Sequence, residues 1–184
     1  YHTSFAYGGN LEFANIKVLF KDADEVVSQE DYTSINANAW GVHDGDLFEA
    51  ELLNFIAEER PQFKMIFSLS SHEPFDVPNY NRLENPYLNS VAYTDSCMGE
   101  FVDGLKKSVK WENTLLIVTA DHGTIRPDNA PIYDTANFRI PLLLTGGVVA
   151  HDTAVYSVVS QMDIFPTIAQ LFDHTNRASP SLLT

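Results

Sequence analysis

The sequence is poor in cysteine, in basic residues and in long apolar runs. Cys97 is the only cysteine of the 184 residues, which excludes an internal disulfide and a cysteine-based zinc site. Eleven lysines and arginines stand against 25 acidic residues, so the formal net charge is −14. Nucleic acid and anionic lipid surfaces are therefore poor candidate partners. No apolar run approaches the roughly 18 residues that a membrane-spanning helix needs.

Two further absences concern the start and the organisation of the chain. The first residue is Tyr1 rather than methionine, and there is no signal-peptide pattern. We therefore expect the chain to be a piece of a longer protein. There is no internal repeat and no low-complexity tract, and 184 residues suffice for one domain with a sizeable core. We expect that one domain to span residues 1–184.

Apolar segments of strand and helix periodicity alternate along the chain, a pattern typical of βαβ units. The pattern predicts strands near residues 1–9, 25–27, 63–69, 115–119 and 140–144, and helices near residues 10–21, 44–59, 89–107 and 160–172. Gly99 and Gly104 weaken the third helix, and Pro166 predicts a kink or a restart in the last one. The fold class that follows is α/β, with a mainly parallel sheet and helices on both faces.

The stretch from Leu115 to Gly123, LLIVTADHG, ends a predicted buried strand in an acid and an imidazole. Open α/β sheets bind their ligands where such strands end. Gly123 has no Cβ to obstruct the bend that would turn Asp121 and His122 to one point. A carboxylate beside an imidazole suits a borderline divalent cation such as Zn²⁺ or Mn²⁺. The alternative is a capping aspartate beside an ordinary loop histidine.

A second predicted strand also ends in a histidine-bearing loop, SLSSHEPF at residues 68–75. If both strands lie in one parallel sheet, both loops open at the same carboxyl edge, and His72 comes near Asp121 and His122. His2 lies in a third predicted strand-end loop. A lone loop histidine is more often structural than a ligand, but the pairing of two such loops favours a functional site.

These residues belong to a set of motifs that resembles a known family. The chain is similar to the catalytic domain of the lipoteichoic acid synthase-like and phosphoglycerol transferase branch of the sulfatase and alkaline phosphatase superfamily. The S-x-H-x-P-F pattern points to this branch, and the resemblance implies an alkaline phosphatase-like fold. The motifs come in the family's order and cover nearly the whole chain: YGGNLEFAN (7–15), WGVHD (40–44), SLSSHEPF (68–75), NSVAYTDSCMGEF (89–101), NTLLIVTADHG (113–123), FRIPLLL (138–144) and SQMDIFPTIAQLF (160–172).

The resemblance also implies the chemistry. Asp121 and His122 match the Asp-His pair that, in the family, helps to hold one divalent metal, most often Mn²⁺, with Zn²⁺ or Mg²⁺ as alternatives. His72 matches the histidine that contacts the transferred phosphoryl group or its glycerol, and His2 is a second candidate substrate-binding residue. The implied substrate is an anionic lipid or glycan phosphodiester. The implied location is the extracytoplasmic face of the cell membrane, although this piece of the protein is itself expected to be soluble.

The sequence departs from the family in two places. Some members carry FWNR where this chain has FANI at residues 13–16, so an arginine that grips phosphate is missing there. The family's glutamate ligand and its nucleophilic threonine lie upstream of any YGG-like segment, and nothing in this chain matches them. Thr3, Ser4 and Ser71 lack the nucleophile's context. We therefore expect the C-terminal part of a catalytic domain whose N-terminal half is missing, without a catalytic nucleophile and with little or no turnover alone.

Two alternative functions stay open. One is a non-catalytic domain of this fold that binds a glycan or a lipid head group. The other is a sulfatase or a phosphoethanolamine transferase. A sulfatase needs a cysteine or serine converted to formylglycine, and Cys97 lies in a predicted helix without that setting. Of the remaining histidines, His43 and His151 are the spare candidates for metal ligands, but both are predicted to lie on the surface, and His174 is predicted to be a solvated residue of the tail.

Overall fold

A computed structural model describes residues 1–33 and 37–172 of the chain. The backbone divides into two compact units, Tyr1–Val149 and Ala150–Thr184. The strands found among the described residues all lie in the first unit: β1 (His2–Tyr7), β2 (Glu25–Val27), β3 (Ala37–Asn38), β4 (Gly41–Val42), β5 (Gln62–Phe67), β6 (Leu116–Thr119) and β7 (Leu142–Thr145). The same unit holds the helices α1 (Ile16–Leu19), α2 (Asp44–Ala57) and α3 (Pro86–Lys106), and the second unit holds α4 (Ile164–Phe172).

The largest sheet has three parallel strands in the order β2-β1-β5. The sequence of β1, HTSFAY, is buried from Ser4 to Tyr7, as expected for a strand that has neighbours on both sides. β1 pairs with β5 over its whole length. Because all three strands run in one direction, their last residues, Tyr7, Val27 and Phe67, mark one carboxyl edge of the sheet.

The core of the first unit lies against β1. Phe5 is 1% exposed, and its ring stacks on that of Phe20 with centroids 3.6 Å apart. On the other face of the sheet, Ala6 packs with Val27 and Leu47, so β1 and β2 bury apolar residues against α2. Burial on both faces explains why β1 reads as an apolar run rather than as an alternating pattern.

The two long helices begin where the sequence carries helix-start signals. Asn85 caps α3, because its side-chain oxygen accepts a hydrogen bond from Leu88 N at 3.1 Å, and Pro86 takes the first helical position, where no amide donor is needed. α2 has Asp44 and Asp46 in its first turn, where the helix dipole favours acids. α2 and α3 pack against each other. None of the helices in the described part of the chain is long and apolar enough to cross a membrane.

The α/β class, with its parallel sheet and helices, is confirmed, but two elements differ from the prediction. β6 and β7 form a separate antiparallel pair. The loop between them, residues 120–141, contains only a single turn of helix at Thr135–Phe138, so the chain turns back beside β6 instead of crossing over. The helix predicted at residues 10–21 shrinks to α1 and one preceding turn, because Ala14 and Asn15 have left-handed backbones with φ of 50° and 57°.

Within its described residues, the second unit is an irregular segment followed by α4. Ser160 and Asp163 form a capping box: Met162 N donates to Ser160 Oγ at 3.1 Å, and Ser160 N donates to Asp163 Oδ2 at 2.7 Å. A turn of helix at Gln161–Asp163 precedes α4. Pro166 therefore lies in the first turn of α4, where its missing amide donor costs no hydrogen bond. A restart of the helix near Pro166 was one of the two outcomes that the sequence predicted.

Candidate active site

The loop that carries His72 leaves β5 at the carboxyl edge of the parallel sheet. Asp44, at the start of α2, fixes the first part of this loop, since its Oδ1 accepts hydrogen bonds from Leu69 N at 2.8 Å and Ser70 N at 3.2 Å. Ser70 Oγ in turn accepts a hydrogen bond from Asp44 N at 2.8 Å. Asp44 and Ser70 are fully buried. His72 thus follows a segment that a buried carboxylate holds in place.

The ring of His72 is exposed, but its neighbours orient it. It lies at 58° to the indole of Trp40, with ring centroids 4.5 Å apart. Its Nδ1 is 2.8 Å from the carbonyl oxygen of Glu73, which also accepts a hydrogen bond from Trp40 Nε1 at 2.8 Å. Because a carbonyl oxygen only accepts, Nδ1 carries the proton in this contact. Nε2 is then the nitrogen of His72 that can exchange a proton with a ligand.

Asp121 and His122 lie side by side directly after β6. His122 N donates to Asp121 Oδ1 at 2.9 Å, and His122 Nε2 is 3.5 Å from Asp121 Oδ2. His122 Nδ1 is 2.8 Å from the carbonyl oxygen of Gly123, so Nδ1 carries the proton in this contact and Nε2 is the nitrogen left to accept from, or bind, a ligand. A Cβ at Gly123 would overlap the carbonyl group of Asn137, which explains the glycine at this bend.

This pair of side chains fits a divalent cation. Two ligand atoms that each lie about 2.0–2.2 Å from one Zn²⁺ ion are about 3–3.5 Å apart, which the Asp121 Oδ2 to His122 Nε2 separation of 3.5 Å matches. A hydrogen bond from the other ring nitrogen to a backbone carbonyl is typical of metal-binding histidines. Across residues 1–33 and 37–172, however, no group of three or more His, Cys, Asp or Glu side chains could hold a metal ion. Within the described residues, this pair could therefore supply two of the ligands of a four-coordinate site.

Arg126 connects the loop after β6 to the loop after β5. Its Nη2 lies 3.5 Å from Glu73 Oε1, and its Cζ lies 6.0 Å from the ring centroid of Phe75. Its Nη1 donates a hydrogen bond to Asn129 Oδ1 at 2.9 Å. The structure thus brings the two predicted histidine-bearing loops into contact, although β5 and β6 are not hydrogen-bonded neighbours.

Two residues of this edge, Trp40 and Arg126, were not predicted as site residues, although Trp40 opens the family motif WGVHD. Trp40 stands at the end of a polar, irregular segment, where nothing in the pattern ties it to the β5 loop. Arg126 does carry a signal, because it is the only lysine or arginine between Lys110 and Arg139. A lone cation three residues after an Asp-His-Gly turn, in an acidic chain, marks a candidate anion contact.

The predicted position of His2 is wrong. His2 is the first residue of β1 and pairs with the first residue of β5, so it lies at the amino edge of the sheet. The carboxyl edge, with Tyr7, is five residues further along, or about 16 Å at about 3.3 Å per residue. Instead of facing the site, His2 lies 3.4 Å from Glu25, 3.7 Å from Asp24 and 3.9 Å from Glu58. This placement gives a substrate-binding role for His2 no support.

The other histidines divide between core and surface. His43 is 4% exposed, with Nδ1 3.4 Å from Ser70 Oγ, so its predicted surface position is wrong. The reason is that the residue just before α2 docks against the buried start of the β5 loop. His151 is exposed, as predicted. His174 lies outside the described residues.

Of the side chains considered as substitutes for a missing nucleophile, Thr3, Ser4 and Cys97 are engaged or buried, whereas Ser71 is half-buried. Thr3 Oγ1 donates a hydrogen bond to Asp24 Oδ2 at 2.8 Å, and Ser4 is 4% exposed within β1. Cys97 is buried in α3, and burial raises the pKa of its thiol to about 11. A thiol that stays protonated at neutral pH is inert, which agrees with the exclusion of Cys97 as a reactive residue.

The chain is similar to known proteins at the levels of family, sequence and structure. The Sulfatase family model matches residues 1–174. A choline-sulfatase of Rhizobium meliloti is 27% identical over 121 residues, which cover 62% of this chain and 23% of the relative. The lipoteichoic acid synthase-like protein YvgJ of Bacillus subtilis is 20% identical over 200 residues, which cover 93% of this chain and 32% of the relative.

A solved structure gives the same result. The protein in the alkaline phosphatase superfamily from Vibrio parahaemolyticus superposes with a TM-score of 0.81 and 32% identity, over 93% of this chain and 44% of that one. The resemblance inferred from the motifs is therefore confirmed at the level of the superfamily. The chain spans less than half the length of each of these three proteins.

Proposed function

The chain belongs to the sulfatase family, and from this premise we propose that it is the C-terminal part of the catalytic domain of a metal-dependent enzyme that cleaves phosphodiesters and transfers phosphoglycerol. The observation that carries the proposal is the contact between the loop of His72 and the loop of Asp121 and His122 at one edge of the first unit. The match to YvgJ over 93% of the chain also favours this branch over the sulfatases, since the choline-sulfatase matches 62% of the chain.

In this proposal Asp121 and His122 hold one divalent cation, Mn²⁺ in the first place and Zn²⁺ or Mg²⁺ as alternatives. When bound, such a cation supplies Lewis acidity to a phosphoryl oxygen. His122 is already in the tautomer that a ligand needs, with Nδ1 on the carbonyl oxygen of Gly123 and Nε2 beside Asp121. The remaining ligands and a nucleophilic threonine come from a part of the protein outside this sequence.

His72 acts on the substrate. The Glu73 carbonyl oxygen holds Nδ1 and the Trp40 indole limits rotation of the ring. Nε2 can therefore accept a proton from an attacking hydroxyl group or return it to a leaving oxygen. We propose that the substrate is an anionic lipid or glycan phosphodiester and that the longer protein acts at the extracytoplasmic face of the cell membrane.

Sulfate ester hydrolysis is the second candidate, because a choline-sulfatase is among the relatives. Sulfate and phosphate esters present similar tetrahedral anions, so the residues described above suit both. The two candidates differ in the nucleophile, for which this sequence has no match, and in the group that is transferred, because a phosphodiester carries a second ester oxygen where a sulfate ester has a third terminal oxygen.

Steady-state kinetics of a longer protein that includes this chain test the proposal. With Mn²⁺ present, we expect turnover of bis(p-nitrophenyl) phosphate to exceed that of p-nitrophenyl sulfate. Asp121→Asn and His122→Ala should each lower kcat/KM by at least about 100-fold, and His72→Ala by about 100-fold to 10,000-fold. His151→Ala, at an exposed histidine, is the matched control and should change nothing.

A preference for the sulfate ester would select the second candidate. Absence of turnover, together with tight binding of a glycan or lipid head group, would overturn the enzyme proposal in favour of a binding domain. Activity that survives Asp121→Asn and His122→Ala would remove these residues from the site.

A further inference from the structure

The edge that holds the candidate site is short of positive charge. The two loops that meet there, residues 68–85 and 120–141, contain six acids and three bases, Arg82, Arg126 and Arg139. An anionic substrate that approaches this edge meets a negative field unless a cation stands close to where it binds. Of the three bases, Arg126 is the one whose described contacts join the two loops.

The guanidinium of Arg126 is positioned but not enclosed. Asn129 Oδ1 accepts a hydrogen bond from Nη1 at 2.9 Å, and the ring of Phe75 lies 6.0 Å from Cζ. The side chain of Arg126 is 37% exposed. Arginine has five N–H donors in a planar fork, and the described contacts engage only part of them. Donors therefore remain for a ligand that arrives from solvent.

The ion pair between Arg126 and Glu73 is easy to displace. Nη2 and Oε1 are 3.5 Å apart, at the long limit for a hydrogen bond, and the Glu73 side chain is 69% exposed. Exposed pairs of this kind contribute little, whereas a phosphate or sulfate group can take two parallel hydrogen bonds from the same guanidinium. An anionic ligand at this edge would therefore replace Glu73 on Arg126.

The position of Arg126 relates it to both predicted halves of the site. It lies four residues after His122 in the same loop, and its partner Glu73 directly follows His72. From these contacts we infer that Arg126 binds a non-reacting anionic oxygen of the phosphate or sulfate ester, and that Glu73 occupies the guanidinium when the site is empty. This inference rests on the proposed function, because it assigns a further substrate-binding residue to the same site.

Binding of glycerol 3-phosphate and of inorganic sulfate to the 184-residue chain, followed by NMR titration, tests the inference. Arg126→Ala should weaken both affinities about 10-fold or more, and Arg126→Lys, which keeps the charge but loses the fork, by about 3-fold. Glu73→Gln should tighten both about 2-fold to 3-fold, because it removes the competing carboxylate. The matched control is Arg82→Ala, since Arg82 also lies over an aromatic ring, with Cζ 4.7 Å from the centroid of Tyr80.

Turnover by the longer protein supplies the second readout. A residue that holds substrate and transition state equally raises KM and leaves kcat nearly unchanged, so Arg126→Ala should raise KM about 10-fold. Equal effects of Arg126→Ala and Arg82→Ala, or no tightening in Glu73→Gln, would overturn the inference. If turnover depends on Asp121 but not on Arg126, only this inference fails. If Arg126-dependent binding persists while no ester is turned over, the proposed function fails and the anion contact stands.

Discussion

Asp44 is the residue on which the geometry of the His72 loop depends most directly. Its carboxylate is fully buried, and besides the two loop amides it accepts a hydrogen bond from Thr94 Oγ1 at 2.6 Å. The first turn of α2, the start of the β5 loop and the middle of α3 therefore converge on one side chain. A buried acceptor with three donors is costly to remove, because each donor is then left without a partner.

We expect Asp44→Ala to lower the free energy of unfolding by about 2–4 kcal/mol, since two backbone amides and a hydroxyl group lose their acceptor. Asp44→Asn keeps the oxygen that the amides need, and should cost roughly 1 kcal/mol. Urea denaturation measures both values. Glu49→Ala is the control, because Glu49 is exposed on the same helix, and it should stay within about 0.5 kcal/mol of the parent. Equal destabilisation by the Ala and Asn variants would contradict this account.

The rate at which the buried Cys97 thiol reacts should depend on pH. Its pKa of about 11 means that at pH 8 about one thiol in a thousand is ionised, against about a quarter for an ordinary exposed thiol. Since the thiolate is the reactive form, the native chain should react with a disulfide reagent at least about 100-fold more slowly than the chain in concentrated guanidinium chloride. The native rate should keep rising about 10-fold per pH unit between about pH 7 and pH 9. A native rate that levels off within this range would show that the thiol titrates normally.

At the scale of elements, apolar periodicity was sufficient to predict five of the strands and the three longer helices. It works because burial against a neighbour imposes a period of two on strands and of about 3.6 on helices. Apolar periodicity fails to predict a structural feature that has a cause other than apolar burial. The left-handed backbones of Ala14 and Asn15 ended a predicted helix, and the direction of β7 depended on the course of a long loop.

The apolar periodicity did not predict the buried polar contacts either. Glu51 of α2 is fully buried, forms an ion pair with the buried Lys64 of β5, and accepts a hydrogen bond from Tyr32 Oη at 3.0 Å. Each of the two charged residues, taken alone, belongs on a solvent-facing position, and only their pairing makes burial tolerable. A single sequence contains both partners but does not state that they meet.

The two glycines that weakened the prediction of α3 have different roles. A Cβ at Gly99 would meet nothing within 4 Å, whereas a Cβ at Gly104 would overlap the side chain of Leu52 on α2. Gly99→Ala should therefore stabilise the chain by about 0.5–1 kcal/mol through helix propensity. Gly104→Ala should lose this gain and be less stable than Gly99→Ala by about 1–3 kcal/mol, because the side chain of Leu52 must shift to make room. The urea denaturation midpoints of the two variants measure these changes in stability. A stabilising Gly104→Ala would mean that the helices pack less closely.

At the scale of the whole molecule, the order of motifs along the chain placed the His72 loop and the Asp121–His122 loop together without any contact being known. That inference assumed that both strands lie in one parallel sheet and share its carboxyl edge, and this premise is wrong, because β6 pairs antiparallel with β7 and the two loops meet through Arg126 instead. It failed for His2, because a histidine at the first residue of a strand lies at the opposite edge. The sequence indicates that a strand is present, but the edge of the sheet at which a given residue lies depends on where that strand begins.

We expect this chain to hold only part of the proposed metal site. In the proposed site Asp121 and His122 supply two ligands, and none of the described residues completes a group of three. Each missing ligand weakens binding strongly, so Mn²⁺ should bind the 184-residue chain at least about 100-fold more weakly than it binds a longer protein that supplies the remaining ligands. Titration calorimetry with both proteins measures the difference.

Asp121→Asn and His122→Ala should each abolish the weak binding that the chain retains, because one remaining ligand does not hold the ion. His151→Ala is the control, since His151 is an exposed histidine, and it should leave the binding unchanged. Tight stoichiometric binding would show that the chain carries further ligands of its own. Tight binding that is indifferent to Asp121 and His122 would move the metal away from the edge where the two loops meet.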